Sequence, residues 1–131
     1  MTSPVRFGYT LVYVTDVAAT LAFYTRAFGL QPGFLHPSGE YGELATGATK
    51  LGFVAHDTAS SHGFTYTPVK PGAEPPGLEI GLVVDDVQKA YDAALAAGCV
   101  AMKQPAAKPW GQVVSYVRDC NGLLVELCSA M

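Results

Sequence analysis

The spacing of apolar and polar positions changes several times along this chain, and each change predicts an element. Tyr9 to Val14 is rich in β-branched and aromatic residues and runs straight into Asp16, a side chain suited to cap a helix by accepting from backbone amides. From Val17 to Phe28 the apolar positions Val17, Leu21, Tyr24 and Phe28 recur at steps of three and four. Gly29 follows where a left-handed helix stop belongs, so the spacing predicts an amphipathic helix with both ends marked. Beyond Pro32-Gly33, short β-prone runs at 34–37, 41–45 and 50–56 are separated by Ser38-Gly39 and Thr46-Gly47, which predicts a three-stranded meander.

From Asp57 to Gly77 no period is sustained, and Ser60, Ser61, His62, Gly63, Gly72 and four prolines mark a connector. The first pattern then returns. Residues 78–84 read as a strand, Asp86 as a cap, 87–97 as an Ala-rich helix and Gly98 as its stop. Strands are predicted at 100–103, 112–118 and 123–128, the last two joined by an Asp119-Cys120-Asn121-Gly122 turn. Matching Asp16-Val17 to Asp86-Val87 sets Tyr9 against Glu79, and matching the final strands sets Gly52 against Glu126. The expectation is an α+β fold of two βαβββ modules, with eight strands and two main helices in one domain over 1–131. Module one covers about 6–57, the connector about 58–76 and module two about 77–131. Each small sheet has one face under a helix and a second face still to bury; bringing those second faces together makes a cleft, where a site is expected.

Composition narrows the function. Half of the 131 residues are hydrophobic and 15% are charged, a balance suited to a folded core and far from that of disordered chains. With 8 basic and 11 acidic residues and no basic stripe, nucleic acid is not an expected partner. No apolar run approaches the roughly 20 residues that span a bilayer, and Met1 to Arg6 lacks the features of a signal peptide, so a cytoplasmic protein without a membrane partner is expected. Cys99, Cys120 and Cys128 are odd in number and lack CxxC spacing, which suits free thiols in a reducing compartment.

The runs Tyr9-Thr10-Leu11-Val12-Tyr13-Val14-Thr15-Asp16, Phe23-Tyr24 before Phe28-Gly29-Leu30, Leu82-Val83-Val84-Asp85-Asp86-Val87 and Asp119-Cys120-Asn121-Gly122-Leu123-Leu124-Val125-Glu126-Leu127 resemble the signatures of the vicinal-oxygen-chelate superfamily, which includes glyoxalase I, bleomycin-resistance proteins and ring-cleaving dioxygenases. The resemblance covers nearly the whole chain except the connector. It implies paired βαβββ modules and a homodimer. In metal-dependent members it also implies four ligands, one from the first and one from the last strand of each module, mainly His and Glu with an occasional Gln. By alignment those positions fall on Tyr9, Gly52, Glu79 and Glu126.

Only Glu79 and Glu126 of these four are good ligands. Gly52 has no side chain, and a phenol such as that of Tyr9, with a pKa of about 10, stays protonated at neutral pH. Zinc, nickel and iron ask for three or four donors, preferably imidazole or thiolate, whereas two carboxylates suit at most a loosely held magnesium ion. No cofactor is therefore expected, with Glu79, Glu126 and Tyr9 the weak metal candidates. Among the histidines, His56 falls on the same strand face as Gly52 but roughly 13 Å further along, while His36 and His62 lie in turn and connector sequence.

Strand alternation turns Tyr9, Leu11 and Tyr13 to the cleft and Thr10, Val12 and Val14 beneath the first helix. The second module contributes Glu79, Gly81, Val83, Leu124, Glu126 and Cys128. Two carboxylates in such a cleft repel, so at least one should be raised in pKa unless a cation or hydrogen-bond donors accompany them. The candidate ligand-binding residues are Tyr9, Leu11, Tyr13, Gly52, Glu79, Trp110 and Glu126. Trp110 resembles the loop residue that closes the pocket mouth in the superfamily; the alternative is a packed loop anchor. Glu126 is alternatively a strand carboxylate bonded to Tyr9 or a backbone amide, and Glu79 a solvated edge residue.

Three functions follow. The first, favoured because good ligands are missing, is metal-independent binding or sequestration of a small aromatic or cationic molecule. The second is a lyase or dioxygenase-like enzyme using Glu79 and Glu126 with an atypical metal or as an acid/base pair. The third is a non-catalytic interaction module. No nucleotide-binding loop or nucleophile elbow supports phosphoryl transfer or serine hydrolysis.

Overall fold

In the computed structural model, which describes residues 3–131, eight strands form two four-stranded sheets and three helices accompany them. The chain divides into two compact units. One comprises residues up to Thr25 with Leu30–Thr67, the other Arg26–Gly29 with Pro68–Met131.

The first sheet is ordered β1 (Tyr9–Val14), β4 (Lys50–Ala55), β3 (Tyr41–Leu44), β2 (Pro32–Leu35), with β1 parallel to β4 and the remaining pairs antiparallel. A parallel first pair needs a crossover, and α1 (Val17–Phe28) lies within it. Asp16 Oδ1 accepts from the Ala19 amide at 2.9 Å, and Gly29 takes φ +75°, so both ends of the helix are set as the sequence implies. Tyr24 of α1 packs on Phe53 of β4 with ring centroids 5.2 Å apart. A Cβ on Gly42 would lie 2.8 Å from Leu21 Cδ1 and 3.0 Å from Val17 Cγ1, so the glycine lets the helix settle on β3. Val12, Val14, Leu44 and Phe53 are buried, and Tyr9, Leu11 and Tyr13, which alternate with them, are not.

The second sheet repeats the plan as β5 (Glu79–Val83), β8 (Leu124–Cys128), β7 (Val113–Arg118), β6 (Val100–Ala107). β5 runs parallel to β8. Asp86 Oδ1 accepts from the Lys89 amide at 3.0 Å and caps α3 (Val87–Ala96), which buries Val87, Tyr91 and Ala94 against the sheet. Val117, Val125 and Leu127 are buried, and Ser115 Oγ satisfies itself on the Leu127 carbonyl at 2.9 Å. At the β7–β8 turn Asp119 Oδ1 accepts from the amides of Asn121 and Leu123. The buried Arg118 guanidinium donates from Nε to the Gly122 carbonyl and from Nη2 to the Lys70 carbonyl, which ties part of the connector to this turn.

Eight strands and two main helices are as the sequence implies, with three departures. A five-residue helix, α2 (His56–Ser60), continues directly from β4 where irregular connector was expected; one turn is too short to show a period, and Ala55 gives it no side-chain cap. β6 continues past Lys103 through Pro105 to Ala107, because it is an edge strand and its pairing with β7 is already irregular there, so the missing proline donor leaves no central ladder bond broken. β2 starts at Pro32 rather than Phe34, helped by the Ala45 amide donating to the Gln31 carbonyl at 2.8 Å. Among the described residues, no helix is long and apolar enough to cross a membrane.

Candidate functional site

On the second sheet, the face turned from α3 carries Glu79 and Gly81 of β5, Leu124 and Glu126 of β8, and Tyr116 of β7. Gly81, Glu126 and Tyr116 share one row across three strands. Tyr116 donates its hydroxyl to Glu126 Oε2 at 3.0 Å. Glu126 Oε1 points toward the edge strand, 3.6 Å from where a Cβ on Gly81 would lie, an ordinary contact distance. Two residues along β7 from Tyr116, Arg118 is committed to its two backbone carbonyls, and among the described residues neither Glu79 nor Glu126 enters a salt bridge.

The electrostatics follow from that geometry. The Glu79 carboxyl is raised above its ordinary value, first by partial burial and second by the charge of Glu126. Tyr116 is pushed up to about 12 by burial and by its bond to Glu126, so it remains a donor across the physiological range. Cys128, buried beside Glu126, is raised to about 11 by burial and the same carboxylate, which makes its thiol a poor nucleophile.

On the first sheet, the corresponding row is Leu11 of β1, Gly52 of β4 and Glu43 of β3. Glu43 Oε2 accepts from the Tyr41 hydroxyl at 2.7 Å and Oε1 meets Lys50 Nζ at 3.0 Å. Those two donors hold Glu43 below the ordinary carboxylate range, and the bond to Glu43 lifts Tyr41 to about 12. Thus the first sheet holds a neutralised acid and the second an unneutralised pair. Tyr13, further along the same face, meets Tyr66 edge-on with ring centroids 4.8 Å apart. Tyr66 is held in turn by His56 Nδ1, 2.6 Å from its hydroxyl. His56 is therefore the first residue of α2, half-buried and paired to a tyrosine, rather than a simple strand end.

Of the sequence candidates, Tyr9 is 58% exposed on β1, Leu11 and Tyr13 are half-buried, and Gly52 is buried. Glu79 and Glu126 lie on one sheet face. Trp110, 64% exposed in the β6–β7 loop, donates its indole N–H to Gln112 Oε1 at 2.9 Å, while Gln112 Nε2 donates to the Ser129 carbonyl. The partner of Glu126 is Tyr116, not Tyr9 or a backbone amide. Sequence reasoning missed Tyr116, Glu43 and Tyr66. Tyr116 was within reach: the Asp119–Leu123 closure pairs Arg118 with Leu124, and two steps back and on pair Tyr116 with Glu126.

The four aligned positions do not make a transition-metal donor set. A Cβ on Gly52 would lie 2.8 Å from Leu11 Cδ2, 3.3 Å from the Gly42 carbonyl oxygen and 3.4 Å from the Tyr41 hydroxyl, so the space a ligand side chain needs is already filled. One oxygen of Glu126 is taken by Tyr116, and among the described residues no three His, Cys, Asp or Glu side chains are grouped to share an ion.

Residues 6–127 match the family model of the Glyoxalase/Bleomycin resistance protein/Dioxygenase superfamily. A glyoxalase-related enzyme from Fulvimarina pelagi is similar in structure, with a TM-score of 0.80 at 19% identity over 95% of this chain and 88% of that one. A glyoxalase/bleomycin resistance protein/dioxygenase family enzyme from Burkholderia phytofirmans PsJN gives 0.78 at 21% identity over 97% and 100%. TioX from Micromonospora sp. ML1 gives 0.72 at 22% identity over 97% and 100%. At these identities the likeness is one of fold. No curated protein matches the sequence.

Proposed function

Because the chain belongs to the Glyoxalase/Bleomycin resistance protein/Dioxygenase superfamily, we propose that it binds and sequesters a small aromatic or cationic molecule, and that it does so without a resident metal. The observation that carries this reading is the state of Glu126. Among the described residues its hydrogen-bond donor is the Tyr116 hydroxyl, which is uncharged, while Glu79 adds a second negative charge on the same face. A protonated amine or amidinium relieves that repulsion and donates charge-assisted hydrogen bonds to the carboxylates. In the same unit, the exposed ring of Trp110 supplies a surface on which a flat ring stacks.

A second reading rests on the raised Glu79 carboxyl. A carboxylic acid above its ordinary value, beside a carboxylate and a phenol, is suited to general acid/base work. It predicts turnover whose pH profile moves in Glu79→Gln. Pairing of two chains belongs to the favoured reading, since β1, β2, β5 and β6 each leave a sheet edge for a second copy to cover.

The test is fluorescence titration with proflavine, a flat cationic aromatic, against the wild type and Glu126→Gln. The reading predicts saturable binding, weakened about ten-fold in the variant, the share a charge-assisted bond commonly contributes. Equal binding by both proteins would remove the acids from the account.

A further inference from the structure

Asn121 is the only asparagine in the chain, and Gly122 follows it. An Asn-Gly step is where a polypeptide most readily modifies itself, because no side chain shields the glycine amide from the neighbouring carboxamide. The sequence holds no Asp-Gly step that would give the same product. Nor can the glycine be exchanged: it holds φ +93°, and a Cβ there would lie 2.5 Å from the Lys70 carbonyl oxygen. The turn nevertheless keeps the reacting groups engaged. Gly122 is buried, its amide donates to the Asp119 carbonyl at 3.1 Å, and the Asn121 amide donates to Asp119 Oδ1 at 2.8 Å. Asn121 Nδ2 donates to Cys120 Sγ at 3.6 Å, on the preceding residue. Around them Arg118 closes the turn against the connector through the Gly122 and Lys70 carbonyls.

We propose that Asn121 is a self-modification site, a deamidation site gated by the Arg118 clamp. When the clamp opens, the Gly122 amide nitrogen attacks Asn121 Cγ. A new N–C bond forms, the Cγ–Nδ2 bond breaks, and ammonia leaves with the proton given up by the amide. Water then opens the resulting succinimide at either carbonyl, which leaves aspartate or, with the backbone rerouted through the side chain, isoaspartate at position 121. Either product adds a negative charge two residues from Asp119. The isoaspartate branch also lengthens the backbone by one carbon inside the turn whose closure pairs Arg118 with Leu124 and, two residues further, Tyr116 with Glu126. Because neither product reverts to asparagine, the modified fraction records how long the clamp has stood open. The site is independent of the ligand-binding reading above.

The experiment incubates native wild type, Arg118→Leu and Val87→Ala beside wild type unfolded in concentrated urea, at one pH and temperature. Isoaspartate is read by methyltransferase labelling and its position by peptide mapping. Val87 is the control: it is buried in the same unit at the start of α3, which follows the end of β5 paired with Cys128, the end of the sheet away from the turn. Modification at 121 should be slow in native wild type and fast in urea. In Arg118→Leu it should run at least about ten-fold faster than in native wild type, the least that loss of charge-assisted hydrogen bonds implies. Val87→Ala should stay within about two-fold of wild type, since the opening is local. Unfolding curves confirm that the variants are folded, and Arg118→Lys, which keeps the charge but loses the fork that serves two carbonyls, takes the place of Arg118→Leu if the latter does not fold. Equal rates in native wild type and the Arg118 variant overturn the proposal. So does equal acceleration in Val87→Ala, which makes the opening global, and so does a native wild type that reacts as fast as the unfolded chain.

Discussion

Leu11 Cδ2 lies 2.8 Å from the point where a Cβ on Gly52 would sit, closer than carbon atoms in proteins approach. The pair is mutually exclusive with any larger residue at 52 unless Leu11 moves. Gly52→Ala should therefore destabilise by about 1–2 kcal/mol, the ordinary range for overpacking against a side chain that can partly yield. In a Leu11→Ala background the same substitution should cost well under half as much. Urea denaturation of the four proteins of that cycle measures the difference, and additivity would show that the two residues do not share the space.

Glu79 makes stability depend on pH in a defined direction. Its folded value is raised, so the folded state holds the proton more tightly than the unfolded chain. The associated stability is fully present below the unfolded value of about 4.3 and is lost as pH rises through the folded value. Glu79→Gln should thus stabilise the protein at pH 7.5 by a few tenths of a kcal/mol, an amount limited by solvent screening of an exposed group. At pH 4 the benefit should largely vanish. Paired denaturation curves at the two pH values decide it, and a benefit that grows on acidification contradicts the assigned shift.

Arg118 is the costliest side chain to remove near the candidate site. Truncation to Leu deprives the Gly122 and Lys70 carbonyls of their donor, and a loss of about 2–3 kcal/mol is expected. Gly122→Ala should be at least as damaging, since Gly122 holds φ +93° and a Cβ there would lie 2.5 Å from the Lys70 carbonyl oxygen. Limited proteolysis of Arg118→Leu should find cuts in residues 68–77 that are absent from a parallel wild-type digest; an unchanged pattern would mean that the connector is held by other contacts.

The three thiols should separate cleanly by reactivity. Cys120 is exposed, whereas Cys99 and Cys128 are buried and raised to about 12 and about 11. Ellman's reagent at pH 8 should modify one thiol per native chain rapidly and the other two only on unfolding. Cys120→Ser should abolish the fast phase; a fast phase that survives would place a second thiol at the surface.

Much of the fold was legible because local signals agreed with one another. Asp16 and Asp86 cap their helices as residue type implies, Gly29 stops α1, and the parity of β1 separates Val12 and Val14 from Leu11 and Tyr13. The site was less legible because its chemistry runs across strands rather than along them. That Glu43 is neutralised by Lys50 seven residues away depends on β3–β4 register. That Tyr66 returns to Tyr13 depends on the single turn of α2, which leaves no periodic trace. The significance of Gly52 was read as a missing ligand, and only three-dimensional packing shows that Leu11 occupies its place.

The central claim, ligand binding without a resident metal, is tested most directly by one proflavine titration run on the same preparation before and after exhaustive chelation. The account predicts superimposable isotherms. Binding that disappears on chelation and returns with a divalent metal would contradict it.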